Sequence, residues 1–212
     1  MKHAPRWPTS LAVVVVLGVQ LTLPERVALG PTWLVPAVQA VLLAPLIVAN
    51  PIRLKNRHPF LGVLALTVAY VILGTNLGRL VHLVVLIGRG QLFSPGTLIL
   101  AALVVLVVNV VGMAVLFWEL DRGGPEARDP LHDDIHLEDP DLQFPQDTMD
   151  PTDPPWRPEF LDYLFVAFTA TTAFSPTDTM PLSRSFKVLF MLAAVTSMTT
   201  IAVIAARAVN LV

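Results

Sequence analysis

The residues best suited to chemistry lie together near the end of the chain. Thr169, Thr171 and Thr172 close an apolar run from Phe160 to Phe174, and Ser175, Thr177 and Asp178 follow in a turn that contains Pro176 and Pro181. Hydroxyls, backbone carbonyls and a carboxylate are oxygen donors. Such groups replace the water around a monovalent cation, and carboxylates from several copies of a chain form a ring of negative charge. The run before the turn is about fifteen residues, or ~22 Å as a helix, which is short of the roughly twenty residues that a crossing requires. Two prolines stop a regular helix after it. Irregular backbone near membrane depth is tolerated only where protein buries it or water bathes it. The turn is therefore expected either to have surfaced or to line a cavity. Thr196, Ser197, Thr199 and Thr200 form a polar band midway along the next apolar segment. They suit a pore lining, or they bond back to their own helix.

A second group of polar residues is scattered through otherwise apolar sequence. Arg79 and His82 are three residues apart and share one helix face. A charge at membrane depth is a candidate for function, against the alternative that Arg79 snorkels to the headgroups. Asn109 is the one strongly polar residue inside the following apolar stretch, where interhelical hydrogen bonding is the plain reading. Together Arg79, His82 and Asn109 make a candidate intramembrane polar site.

Elsewhere the chemistry is thin. His132, Asp133, Asp134 and His136 could grip a divalent cation, yet the stretch lacks the glycine and spacing of a calcium loop and reads as a solvated acidic loop, so no metal site is expected. No phosphate-binding glycine loop or serine elbow is present, and no nucleophile, base and orienter fall at a recognisable spacing. Neither an enzyme nor a cofactor is expected.

The elements that must position these groups follow from composition. Of 212 residues, 54% are hydrophobic and only 14% are charged, with mean hydropathy +0.66. Soluble domains carry about 25% charged residues. The apolar residues come in long blocks, so the expected fold is all-α, a polytopic helical membrane bundle of five or six membrane-embedded helices in contact with a lipid bilayer. A net charge of −2 gives nucleic acid nothing to bind, and the absence of cysteine excludes disulfides and thiolate chemistry.

Three parts are expected. Residues 1–119 form a four-helix membrane bundle, 120–158 an acidic, Pro-rich hydrophilic loop, and 159–212 a short helix, a turn and a closing transmembrane helix. The first helix is expected over Trp7 to Leu23. Lys2 and Arg6 before it imitate a secretory signal, but the cleavage site is weak and further apolar segments follow, so it reads as retained. The second spans Val27 to Val48 and the third Pro59 to Gly88. The fourth starts at Ser94-Pro95, as N-cap and first helical residue, and runs to Trp118. Val188 to Val212 closes the chain. The stretch from Glu119 to Asp162 is acidic and proline-rich and is expected to be extended or partly disordered, without a packed core. Lys2, Arg6 and the basic segment from Arg53 to His58 place the N-terminus and that segment in the cytoplasm. If Phe160 to Phe174 crosses, there are six spans. If it re-enters, there are five, and the Lys and Arg balance decides neither.

A short helix, a Thr-rich end, an irregular loop with Asp178 and Pro181, and a closing helix resemble the pore module of potassium channels over Phe160 to Ala205. The resemblance implies a cation-permeable channel built from several identical copies, with Thr169, Thr171, Thr172, Ser175, Thr177 and Asp178 at a constriction. The glycines of the potassium filter are replaced by Ala173-Phe174-Ser175-Pro176-Thr177. Glycine permits the backbone angles that align filter carbonyls, so a potassium-selective ladder is not expected. The whole layout also resembles an uncharacterised family of bacterial multi-pass membrane proteins. The shared features are Asp162-Tyr163-Leu164, the Thr-rich run, the Ser-x-x-Asp turn and a terminal Ala208-Val209-Asn210. That kinship implies residence in a cell membrane, the bacterial inner membrane. Two other functions remain open on the residues alone: a non-conducting accessory protein docking through its acidic loop, and a small-solute transporter using Arg79 and His82.

Overall fold

The computed structural model describes residues 7–49, 59–125, 127–128, 139–149, 156–173 and 178–209. Its architecture is all-α, with six helices among the described residues: α1 (Trp7–Leu21), α2 (Leu34–Ala49), α3 (Pro59–Gly88), α4 (Pro95–Leu120), α5 (Phe160–Thr172) and α6 (Arg184–Val209). Three of them, α3, α4 and α6, are long and apolar enough to cross a membrane. The apolar helices α1, α2 and α5 are shorter, at 15, 16 and 13 residues.

Local chemistry sets the boundaries. Ser94 caps α4 as its sequence predicts, its Oγ accepting the Thr97 N–H at 3.2 Å with Pro95 in the first turn. α2 begins at Leu34 rather than Val27, because Gly30, with φ of 83°, and Pro31 divert the chain before a helix can form. α6 begins at Arg184, ahead of the apolar run, where the Ser183 Oγ accepts the Phe186 N–H at 3.3 Å.

α4 is the axis of the bundle, and residues 111–118 near its C-terminal end are buried on every side. Phe117 stacks on Phe186 and Phe190 of α6 with ring centroids 5.3 and 5.0 Å apart. Trp118 meets Phe160 and Tyr163 of α5 edge-on at 6.1 and 5.5 Å. The N-terminal ends of α5 and α6 thus both lie beside the C-terminal end of α4. Thr9 and Ser10 at the start of α1 line the same small cavity as Glu119, so α1 begins at that end too. From here on it is termed the loop end.

Two helices that start at one end cannot be joined by a simple hairpin. α5 runs inward along α4 for up to about 18 Å, and the chain must then return. It arrives at a two-stranded antiparallel ladder in which β1 (Leu142–Gln143) pairs with β2 (Met180–Pro181), Leu142 opposite Pro181. The Leu182 N–H extends the ladder to the Asp141 carbonyl at 2.8 Å. Residues 139–149 are therefore built into the bundle. Leu142 and Phe144 are buried, and Phe144 packs on Trp156 and Tyr163 at 5.5 and 5.4 Å. The expectation of a stretch without packing fails here because two apolar residues, spaced to share one strand face, anchor it. His132, Asp133, Asp134 and His136 lie outside the described residues.

The opposite end is thinner. Gln20, at the end of α1, sits against Gln39 of α2 and Arg79 of α3, and Leu29 of the connector packs at Gly78. α3 runs on from Arg79 to Gly88, about 13 Å further. α1 ends near the level of Arg79 and α2 begins about 7 Å beyond it, while α3, α4 and α6 run further.

α3 approaches α4 closely at Gly112. A Cβ there would stand 2.8 Å from the Leu73 Cδ2 and 3.1 Å from the Ile72 Cγ2. Gly112→Val is expected to lower the unfolding free energy by about 3 kcal/mol through overpacking, and Gly112→Ala by much less, because the Leu73 and Ile72 side chains can shift and alanine gains helix propensity. Unfolding of the purified protein in mixed micelles with rising dodecyl sulfate checks this. Equal stability of Gly112→Val and wild type would show that the two helices do not meet this closely.

Candidate functional site

The first candidate group divides. Thr169 is buried, and its hydroxyl donates to the carbonyls of Val166 at 2.9 Å and Phe165 at 3.1 Å. Thr171 is buried with its Oγ1 unpartnered among the described residues. Thr172 is exposed and donates to the Phe168 carbonyl at 2.8 Å. Asp178 is exposed on the returning chain, and Ser175 and Thr177 lie outside the described residues. α5 is capped at the loop end, where the Asp162 carboxylate accepts the Glu159 N–H at 2.7 Å. A carboxylate in the first turn suits the positive end of the helix dipole. The negative end, with the carbonyls of the last turn, is carried inward.

The polar band on α6 turns toward the bundle. Thr196, Ser197 and Thr200 are buried; Ser197 donates to Ala193 O at 3.1 Å and Thr200 to Thr196 O at 2.7 Å. Asn109 of α4 reaches across, its Nδ2 donating to the Ala193 carbonyl at 3.0 Å and to the Ser197 Oγ at 3.2 Å. These residues join α4 to α6, which is interhelical hydrogen bonding rather than a pore wall.

Arg79 is 3% exposed and heads a directional chain of hydrogen bonds. Its Nη2 donates to the Gln20 Oε1 at 2.7 Å, the Gln20 Nε2 to the Gln39 Oε1 at 2.9 Å, and the Gln39 Nε2 to the Thr75 Oγ1 at 3.2 Å. The Thr75 hydroxyl in turn donates to the Val71 carbonyl at 2.7 Å. The Arg79 Nε and Nη1 are buried without partners among the described residues. No acid occurs in α1, α2 or α3, and α4 carries only Glu119, at the loop end. Arg79 therefore does not snorkel; amide and hydroxyl dipoles from three helices, α1, α2 and α3, form the chain that it heads. Asn76, one turn earlier, donates to the Val105 carbonyl of α4 at 3.0 Å. His82 lies half-buried on the same helix and is not part of this chain.

A third group stands where α4 ends. Asp121 is fully buried. Its Oδ1 accepts the Asp141 and Leu142 N–H groups at 2.9 and 3.1 Å, and its Oδ2 accepts the Tyr163 hydroxyl at 2.6 Å. The Arg122 Nε lies 3.4 Å from the same oxygen, and the Arg122 Nη2 donates to Asp147 at 2.6 Å. Arg122 achieves this from the left-handed region, at φ of 53°, and the turn closes through Gly124, where a Cβ would stand 2.9 Å from the Glu119 carbonyl. Arg128 lies over the rings of Trp118 and Tyr163 at 4.5 and 5.0 Å and donates to the Trp118 carbonyl at 2.7 Å and to that of Asp121. Arg157 in turn donates to the Arg128 carbonyl. Burial pushes the Arg128 guanidinium below its usual pKa, and Tyr163 and Asp121 oppose that shift. The group ties α4, the acidic stretch and α5 into one unit.

Reading by residue type passes over Gln20, Gln39 and Asp121. A signal exists for the first two: Gln39 is the one strongly polar side chain in α2, and Gln20 stands apart at the end of α1. Asp121 is one acid among many, and nothing in its neighbours distinguishes it. Among the described residues no three His, Asp or Glu side chains gather as a metal site. Compared with protein-family models, curated proteins and solved structures, the chain matches none.

Proposed function

We propose that this is an integral membrane protein whose residues 159–212 form a channel-like module, permeable to monovalent cations when several copies assemble. One observation carries the reading: α5 and α6 both begin beside the end of α4, so α5 enters and the chain returns to the side from which it came. In a bilayer this makes α5 a re-entrant helix. Its C-terminal carbonyls and the exposed Thr172 then stop at membrane depth, where lipid satisfies no polar group. Neighbouring copies and a water-filled space between them would supply what lipid withholds. The inward dipole end of α5 would favour a cation in that space, and the exposed Asp178 on the return would add a ring of charge near the mouth. The resemblance to potassium-channel pore modules and to bacterial multi-pass proteins supports the same reading and an inner-membrane location. Without filter glycines the module would discriminate weakly between potassium and sodium.

The test is ion flux from liposomes holding the purified full chain. Wild type is expected to release potassium and sodium at similar rates. Asp178→Asn is expected to slow both by about threefold at low salt and by less at about 1 M salt, where surface charge is screened. A wild-type chain that leaks no cation, with the variant indistinguishable from it, would sink the proposal.

A further inference from the structure

The chain that returns after α5 has few anchors of its own. Among the described residues, Met180, Pro181 and Leu182 pair with residues 141–143 and form backbone hydrogen bonds to no other segment. Carried one residue further, the same register sets Thr179 opposite Phe144, and both are buried. Residues 141 and 142 meanwhile turn their N–H groups to the Asp121 Oδ1 at the end of α4, while the Asp141 carbonyl takes the Leu182 N–H at 2.8 Å. The segment also grips the start of α5. Phe144 lies 5.4 Å from the Tyr163 ring, and the Tyr163 hydroxyl meets the other oxygen of Asp121. α5 leaves the loop end at Tyr163, and the chain comes back at Met180, so residues 139–149 bridge the entry and the exit of one excursion. The bridge is slight. Each strand contributes two residues, and a ladder of that size is not stable by itself. Its outer anchor is the pair of Arg122 and Asp147, whose side chains are 16% and 21% exposed. A segment with so few contacts opens at a lower free-energy cost than the helices it joins.

We propose that residues 139–149 are a strap that sets the position of the returning chain. Docked, it holds residues 179–182 against the end of α4 and the start of α5. Undocked, it frees them. Asp178 immediately precedes the strapped residues and is exposed. On the channel reading, on which this regulation rests, the docked strap keeps the Asp178 carboxylate at the mouth, and its release withdraws that charge and slows cation entry.

The chain contains no cysteine, so a single introduced one reports position without background. Thr179→Cys in the full-length protein in detergent micelles is expected to react slowly with a water-soluble maleimide, because residue 179 is buried. Leu142→Asn sets a polar amide where the strap has a fully buried leucine, and is expected to raise that rate about tenfold. Ala193→Cys, at a fully buried position on α6, should stay unreactive with and without Leu142→Asn, which separates release of the strap from unfolding. If Leu142→Asn does not fold, Asp147→Ala removes only the outer anchor and should raise the rate about threefold. In liposomes at low salt, Leu142→Asn is expected to slow cation flux about threefold and to add nothing to Asp178→Asn. A Thr179→Cys rate that neither strap variant changes would overturn the proposal. Faster labelling with flux unaltered by Leu142→Asn in a conducting protein would overturn the regulation. Faster labelling with no flux from any chain, wild type included, would remove the channel reading and leave the strap standing.

Discussion

Gln20→Leu is expected to lower the unfolding free energy by about 3 kcal/mol, although it only exchanges one neutral side chain for another of similar size. Gln20 supplies the one hydrogen bond that the buried Arg79 guanidinium makes among the described residues. Leucine there leaves a full positive charge against apolar walls, with no carboxylate on the helices that surround it. The same change also strands Gln39, whose Oε1 loses its donor. Arg79→Met alone removes the charge together with its partner's obligation and is expected to cost about 1 kcal/mol, from the unpaired Gln20 Oε1. The double variant Gln20→Leu, Arg79→Met should be more stable than Gln20→Leu by about 2 kcal/mol. Mixed-micelle unfolding of the three variants measures this. Additive losses would show that the two side chains do not act on one another.

Asp121→Ala is expected to cost about 4 kcal/mol and to release the acidic stretch from the bundle. The carboxylate answers two backbone N–H groups, one phenol and one guanidinium, and alanine leaves all four without it in a site closed to water. The loss should be local in effect. Limited proteolysis is expected to cut between Asp139 and Met149 in Asp121→Ala under conditions that leave these residues intact in wild type, while α3 and α4 remain protected. Tyr163→Phe removes a single bond to the same oxygen and should cost about 1 kcal/mol. Equal protection of the stretch in Asp121→Ala and wild type would mean that Leu142 and Phe144 hold it unaided.

Much of the bundle is legible in the residues themselves. Long apolar blocks bounded by proline, glycine or serine mark the helices to within a few positions, and Ser94-Pro95 marks the start of α4 to the residue. The errors have local causes. Gly30 and Pro31 delay α2, and hydrophobicity alone hides that α6 continues through Arg184 and Lys187. The shortness of the run after Phe160 is visible from its length, and α5 ends at Thr172. What periodicity does not reveal is which polar residues face one another. Asn109 reads as interhelical glue and proves to be that. Arg79 reads either as a snorkelling residue or as a buried functional one and is buried, because its partner Gln20 lies 59 residues away in a helix joined by connectors of no distinctive sequence. Asp121 is hidden for a different reason. Its role depends on Tyr163 and on two backbone amides, which no spacing rule brings together.

The shallow hairpin of α1 and α2, with α5 beside it, gives the molecule unequal girth. Among the described residues six helices occupy the loop end, and three reach the other. Embedded in a bilayer, such a body displaces more lipid from one leaflet than from the other and acts as a cone. It relieves packing stress where the leaflet at its broad end is convex, so vesicles of small radius should enrich it when that end faces outward and exclude it when the orientation is reversed.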